Sequence, residues 1–390
     1  MKHITIGEIN KFQCVGSQCP YSCCAGGWAI IVDKVTDEYY QAVEGDFGEE
    51  LRTKIDRTRD PACMKLTPNG RCAFLNDENL CRVYIELGPE HMCDTCRVYP
   101  RQERVAGDRV LHYMTISCPE VGRIFLSRKT PLEFHTVEDK NSRVQYPTPS
   151  PDWHYFRLAE KAFQVNFDIL RNQSLDIAQR ERALLLFNRA LQDALDAEKW
   201  EDAEKLFAFF SAPENYLSMT RSQLSGHLAS KVRFFRDLCE LVLKREGGSK
   251  VYQMFVFSIR YILSEQADMD ALSECLHMLD GEEYQREEEN LLTYFLFHFY
   301  LDDTLLDKSA NRDLFQRLVF ILSVYQFYRV FTAIFSSQKK EIMPLEERVL
   351  TVAFLSRYFE HSPDKFRKQF NETLAQHQFY DMGFLFQLIS

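Results

Sequence analysis

From residue 153 onward, apolar side chains recur at helical spacing. In WHYFRLAEKAFQVNFDIL (153–170), Phe156, Ala159, Phe163, Phe167 and Leu170 return every three or four residues, which places them on one face of an α-helix. The stretch LLLFNRALQDALDAEKWEDAEKLFAFF (184–210) continues in kind, with Leu184, Leu191 and Leu195 followed by Ala203, Phe207 and Phe210. Helical patterning persists through KVRFFRDLCELVLKRE, NLLTYFLFHFY, RLVFILSVYQFYRVFTAIF and FRKQFNETLAQHQF, broken by short polar segments such as EGGS and DG. Short breaks force successive helices to pack back on one another, so antiparallel helix pairs are expected. No repeat period is sustained. The Phe and Tyr stripes predict core, and any exposed remainder predicts a protein-binding groove.

Before residue 145 the pattern is different. Gly, Pro and Cys are frequent, and apolar runs are too short for long helices. GWAIIV (27–32) and RVLHYMTIS (109–117) are candidate strands by their β-branched and aromatic content. YPTPSP (146–151) packs three prolines into six residues, a boundary signal. The predicted fold is therefore mainly α. A loop-rich cysteine domain with short strands fills 1–145, a Pro-rich linker 146–152, and an all-α helix-pair domain 153–390. A chain of 390 residues exceeds one core, and the loop-rich part needs a staple such as metal–thiolate bonds.

Composition narrows the partners. The 45% hydrophobic and 27% charged fractions are globular, and the net charge of -10 disfavours a phosphate-binding surface while suiting a partner that carries lysines. No nucleic acid is expected. The first residues, MKHITIGEINKFQC, lack the apolar core of a secretion signal. The most apolar run, 317–335, is interrupted by Gln326 and Arg329, which predicts a buried helix rather than a membrane span. The expected location is the cytoplasm, with no membrane partner.

Ten of the twelve cysteines lie between Cys14 and Cys118, while Cys239 and Cys275 stand alone in helical sequence and read as small buried apolar residues. In a reducing compartment, clustered cysteines point to metal or redox chemistry rather than disulfides. The cluster runs Cys14, Cys19, Cys23 and Cys24 in CVGSQCPYSCC, then Cys63, Cys72, Cys81, Cys93, Cys96 and Cys118. Cys93-x-x-Cys96 lets two thiolates converge from one turn, and distant pairs close the site as the chain folds. Zinc and iron–sulfur clusters both accept such ligands. Cys19-x-x-x-Cys23 begins like the three-cysteine loop of radical S-adenosylmethionine (SAM) enzymes, but Cys24 follows at once where that loop needs two spacers. No G-x-G-x-x-G follows a strand, and GEEL (48–51) lacks the companions of a SET-type methyltransferase motif. His91 and His112 are available to complete a zinc site, although isolated histidines of this kind more often serve structure.

CVGSQCPYSCC, GRCAFLNDENLCRVY and CRVYPR resemble a zinc- or iron-chelating domain in which a CC-ending cluster precedes C-x-F-L, C-x-I/V-Y and C-R-x-Y/F-P. With SCPE and the long helical half, the chain resembles the flagellin lysine N-methylase family, FliB. That resemblance implies a bacterial cytoplasmic protein-lysine N-methyltransferase of the flagellum that acts on flagellin. Its methyl donor is SAM and it carries an iron–sulfur cluster, [4Fe-4S] in type, with zinc the alternative metal. The implied metal set is Cys14, Cys19, Cys23, Cys24, Cys72, Cys81, Cys93, Cys96 and Cys118. Nine exceeds the four thiolates of one cubane, so either there are two sites or some are structural. Cys63 matches no motif. On this reading the cluster either anchors the amino and carboxylate groups of SAM or only shapes the domain. Tyr99 and Tyr113 either orient the acceptor lysine or pack around the site. A non-enzymatic metal-binding adaptor with a helical interaction domain is the alternative.

Overall fold

A computed structural model describes residues 2–7, 12–138, 150–221, 228–243, 257, 258, 260, 261, 264, 268–361 and 364–389. Two compact units emerge: Met1–Gly7, Glu103–His112 and Arg123–Ser390 form a helical unit, and Glu8–Gln102 with Tyr113–Gly122 form a cysteine unit. Most of the proline-rich 146–152, and the EGGS break, lie outside the described residues.

The fold is mainly α with a loop-and-strand N-terminal part. Its strands are β1 (Lys2–Ile6), β2 (Ile55–Asp56), β3 (Cys63–Met64), β4 (Arg101–Ala106), β5 (Arg109–Met114) and β6 (Phe134–Glu138). Four of them form a sheet in the order β4-β5-β1-β6, with β1 parallel to β5 and antiparallel to β6. β2 and β3 pair separately. The strand expected over 109–117 forms as β5. The one expected over 27–32 does not: Ile31 makes a single bridge to Cys63. That bridge consists of Met64 N–H donating to Ile30 O and Val32 N–H to Ala62 O, and the Thr95 hydroxyl donates to Ile31 O.

The cysteine unit contains α1 (Lys34–Ala42), α2 (Gly45–Lys54), α3 (Arg82–Leu87) and α4 (Asp94–Val98), and α5 (Pro119–Leu126) begins in it. In the helical unit follow α6 (Trp153–Leu170), α7 (Ile177–Asp196), α8 (Trp200–Phe210), α9 (Pro213–Tyr216), α10 (Leu228–Leu243), α11 (Met269–Leu279), α12 (Glu282–Phe299), α13 (Leu314–Ser337), α14 (Leu345–Glu360), α15 (Asp364–Gln376) and α16 (Met382–Ile389). The stripe Phe156, Ala159, Phe163, Phe167 and Leu170 is buried as expected. The pattern over 184–210 breaks into α7 and α8, because Glu198 adopts a left-handed φ of 53° between them. Asp176 and Gln179 start α7 with a reciprocal capping box. Asp280 and Gly281 separate α11 from α12, as the DG break predicts. α13 is long and apolar enough to cross a membrane, yet 94% of its apolar window is buried inside the protein, as a core helix.

Three consecutive glutamates of α12 also enter this core. Glu287, Glu288 and Glu289 are 7%, 1% and 2% exposed, and each meets an arginine from a different helix. Arg348 on α14 grips Glu287 with two hydrogen bonds of 2.8 and 2.7 Å. Arg329 on α13 faces Glu288 at 3.9 Å, while the Tyr325 hydroxyl donates to the same carboxylate. Arg180 on α7 donates to Glu289 at 2.8 Å and to the carbonyls of Leu170 and Leu175. Nearby, fully buried Glu181 on α7 accepts from Gln326 at 2.8 Å.

Removing one partner strands a buried charge, at a cost of about 3–5 kcal/mol. Arg348→Met, which leaves Glu287 with no cation and only the Tyr328 hydroxyl, should therefore lower unfolding stability by about that much in urea titration, and Arg348→Met with Glu287→Met should recover most of the loss. A pH effect follows from the same core. Burial pushes both Glu181 and Glu288 up to about 7, against the neighbouring charge of Arg329. Because the folded-state value is raised, their stabilising contribution is full below the ordinary carboxyl range and is lost as pH rises through about 7. Wild-type stability should fall more steeply between pH 5 and pH 8 than that of Glu288→Gln, measured by denaturant midpoints across that range.

Candidate thiol site

The cysteine unit is built around a small core of Ile30, Val32, Tyr40, Leu51, Ile55, Met64, Phe74 and Val83. Asp33 anchors it. One carboxylate oxygen caps α1 by accepting from Thr36 N–H at 2.9 Å, and the other accepts from Asp94 N–H at 3.0 Å, fixing the start of α4 beside Cys93. The Tyr40 hydroxyl donates to His91 O at 2.7 Å and ties the preceding loop to α1.

Five thiols gather on this core. Cys72 and Cys93 are buried within it, and Cys24, Cys81 and Cys96 pack against it. Local backbone geometry holds each one. Cys24 lies in the 3₁₀ turn Cys23–Ala25, started by Ser22, whose hydroxyl accepts from Cys24 N–H at 3.2 Å. Cys72 N–H donates to Cys24 O at 2.7 Å. Cys81 precedes α3 and bridges to Leu75, while Cys93 precedes α4, with Cys96 N–H bonded to Cys93 O at 2.9 Å.

These thiols share one electrostatic neighbourhood. Burial pushes Cys72 up to about 12, and the negative charge of Cys24, Cys81 and Cys93 adds to the shift. Burial likewise raises Cys81, with Cys24 and Cys93 contributing. Cys96 donates to Cys93, which raises Cys96 and lowers Cys93; the charges of Cys24 and Cys81 also reach Cys96. A hydrogen bond from Cys23 brings Cys24 down to about 7, aided by Ser22 and Arg71 against burial.

The other four expected ligands keep different company. Burial pushes Cys118, just before α5, up to about 11, and the further charges acting on it are those of Cys19 and Cys14. Cys23 is raised by donating to Cys24, by burial, and then by the charges of Cys24, Cys14 and Cys118. The nine cysteines thus sort into Cys14, Cys19, Cys23 and Cys118 on one side and Cys24, Cys72, Cys81, Cys93 and Cys96 on the other. The adjacent pair Cys23 and Cys24 joins the two sets. This division had no signal in the spacing, since neighbours in sequence part company and residues seventy apart share a site.

Thiols that would repel one another as thiolates, most of them half-buried or buried, suit thiolate-bound metals, since a cation relieves both the repulsion and the desolvation of the charged form. Each set offers at least the four sulfurs that zinc or a cubane takes. As they stand, no three His, Cys, Asp or Glu side chains among the described residues converge closely enough to hold one ion. Ligation therefore requires the thiols to draw together from these positions.

The remaining candidates fall elsewhere. Cys63 in β3 is buried, its thiol directed at Pro61 O at 3.5 Å. His91 stacks on Tyr39 at 4.4 Å. His112 belongs to the helical unit, where it contacts His3 at 2.8 Å and Glu103 at 3.2 Å. The Tyr99 hydroxyl is 3.1 Å from Ser117 Oγ and its ring lies edge-on to Trp28, while Tyr113 is buried. Cys239 and Cys275 are buried in α10 and α11, in the helical unit, as the apolar reading expects.

A helical unit carried with a thiol-rich, loop-built unit is the class of protein these observations define. Residues 164–388, more than half of the chain, match the family described as FliB lysine N-methylase C-terminal domain. The chain belongs to the FliB lysine N-methylase family. It is 31% identical over 137 residues to a lysine-N-methylase of Salmonella typhimurium, covering 31% of this chain and 32% of that protein. It is also 31% identical over 133 residues to the flagellar biosynthetic protein FliU of Salmonella muenchen, covering 76% of that protein. A lysine-N-methylase of Salmonella choleraesuis matches over 137 residues at 31% identity. The match thus spans about a third of the length of either lysine-N-methylase. No solved structure matches.

Asp33 carries the local architecture of the thiol site. Asp33→Ala should cost about 1–2 kcal/mol, from the lost cap and the lost bond to Asp94, whereas Asp33→Asn should retain most of the cap. Urea unfolding of the two variants checks this.

Proposed function

We propose that this chain is a protein-lysine N-methyltransferase that transfers methyl groups from SAM to lysine side chains of flagellin and depends on an iron–sulfur cluster held by the cysteine unit. The observation that carries the reading is the family match over 164–388. The relatives' names, lysine-N-methylase and flagellar biosynthetic protein, support the reaction and the flagellar substrate. The gathered thiols support the metal. A net charge of -10 suits a lysine-bearing substrate and disfavours nucleic acid.

The reaction sets clear demands. A free lysine titrates at about 10.4, so its ammonium must lose a proton before the nitrogen lone pair is available. The neutral amine then attacks the sulfonium methyl in line. The N–C bond forms as the C–S bond breaks, sulfur keeps the electron pair as a neutral thioether, and the second amine proton leaves to solvent. The chain's part is to hold the two reactants in that alignment and exclude water.

Cys24, Cys81, Cys93 and Cys96, with Cys72 beside them, are the residues that would hold a cluster on the cysteine core, and Cys14, Cys19, Cys23 and Cys118 would hold further iron on which activity also depends. A bound cluster supplies a charged iron–sulfur core, and zinc in the same thiolates would supply a structural staple alone. The adaptor reading has one observation in its favour: Ile31, Val35, Tyr84, Ile85 and Val98 of the cysteine unit are exposed, as protein-docking surfaces are.

Anaerobically purified protein, incubated with SAM and flagellin, should add mass in increments of about 14 Da, one methylene equivalent per transferred methyl, on lysine peptides. Absence of any increment with iron-loaded protein would leave the adaptor. Cys23→Ser and Cys96→Ser should each lower bound iron and activity together, and Cys239→Ser should change neither. Full iron retention by both motif variants would remove the thiol assignment.

A further inference from the structure

Within the helical unit, a cavity of about 160 Å³ lies where the end of α12, the 3₁₀ turn Asp303–Leu306, the start of α13 and α15 come together. Phe299 and Phe320 form its apolar wall, their rings edge to face at 5.2 Å. Two opposite charge pairs line it, and they differ in how they are satisfied.

Asp302 and Arg317 satisfy each other. Their guanidinium–carboxylate contacts are 3.0 and 3.2 Å, and Arg317 holds the Asp302 carboxyl well below its usual range despite burial. Asp313 and Arg367 do not pair. Asp313 caps α13 by accepting from Gln316 N–H at 2.8 Å. Arg189, whose charge also reaches Asp313, forms its own ion pair with Asp193. Arg367 lies over the Phe299 ring at 5.9 Å, and its buried Nε, like that of Arg317, has no hydrogen-bond partner among the described residues. Among the described residues neither Asp313 nor Arg367 has an ion-pair partner.

One carboxylate and one guanidinium left unmatched in the same cavity call for a ligand that carries both complementary charges. A simple anion would answer Arg367 but be repelled by Asp313, and a simple cation would meet the reverse. An α-amino acid answers both, its carboxylate to the Arg367 fork and its ammonium to Asp313, with Asn371 and Gln316 as neutral partners at the rim. Size agrees. The volume equals about five water molecules, which suits an amino acid of methionine's bulk and is too small to enclose a nucleoside. Phe299 and Phe320 would face its aliphatic or sulfur-bearing chain; a sulfonium there gains from the ring faces.

We propose that this cavity binds the zwitterionic α-amino-acid group of a ligand, and that the ligand is the methionyl end of the sulfonium methyl donor, with the nucleoside lying outside. The donor's identity rests on the methyltransferase reading above. The zwitterion site stands on the cavity itself.

The test is calorimetric titration of the full-length, metal-loaded protein with S-adenosylhomocysteine, methionine and adenosine. S-adenosylhomocysteine should bind and methionine should compete for the same site, while adenosine alone should not displace it. Arg367→Gln and Asp313→Asn should each weaken S-adenosylhomocysteine about tenfold or more, the loss expected for a charged hydrogen bond. Arg367→Lys should fall between, and Asp313→Asn keeps the helix cap, so the unfolding midpoints should match wild type. Binding of S-adenosylhomocysteine that is unchanged in both variants would overturn the site while leaving the methyltransferase reading intact. Binding of methionine that depends on Arg367, with no affinity for S-adenosylhomocysteine, would support the zwitterion site and overturn its assignment to the donor. No binding of any of the three would overturn the proposal.

Discussion

Glu287, Glu288 and Glu289 enter the helical core side by side, and a buried carboxylate without a partner costs several kcal/mol. Successive residues on a helix point about 100° apart, so no single neighbouring helix can answer all three. Arg348, Arg329 and Arg180 come from α14, α13 and α7 respectively. The arrangement of three helices around α12 is therefore a condition for burying this triplet. Ion pairs of this kind add little net stability against well-packed apolar replacements, but they admit few alternative registers. The apolar helix α13 would otherwise be free to slide among several aromatic faces.

The cysteine unit faces the same problem with the opposite remedy. Its apolar core is small, and it draws Cys24, Cys72, Cys81, Cys93 and Cys96 together where each negative charge raises the cost of its neighbours. Among the described residues, the arginine that acts on this set is Arg71, through Cys24. A shared cation is the natural remedy for such a group. In the proposed reading that cation is iron, and folding of this unit is coupled to loading it. Buried ion pairs and aromatic packing hold the helical unit, and in the proposed reading metal–thiolate bonds would hold the other.

How much of this the sequence carried depends on the range of the interaction. The helices over 153–170 and 314–337 were legible because periodicity is a local property, and a long apolar run interrupted by Gln326 and Arg329 already pointed to a core helix. Arg329 shows the limit: its interruption of the run was visible, but its partner 41 residues earlier was not. GWAIIV had the composition of a strand and became loop because its only ladder neighbour, around Cys63, offers one bridge. The cysteine motifs named the ligand candidates, yet their grouping ran against sequence order. Cys24 is hydrogen-bonded to Cys23 yet packs on the core with Cys81 and Cys96, while the charge of Cys14 reaches Cys118 across a hundred residues. The cavity lined by Asp313 and Arg367 gave no signal at all, being assembled from separate helices.

The sequence by itself determined the helical half, the loop-rich cysteine half, the buried status of its most apolar helix and the family the chain belongs to. Each of these is written in spacing and composition over short windows. Only the tertiary structure decided which thiols stand together, which arginine answers which glutamate, and where two unmatched charges line one cavity. Those outcomes depend on contacts between residues tens to more than a hundred positions apart, where charge and burial act through space and leave no periodic trace along the chain.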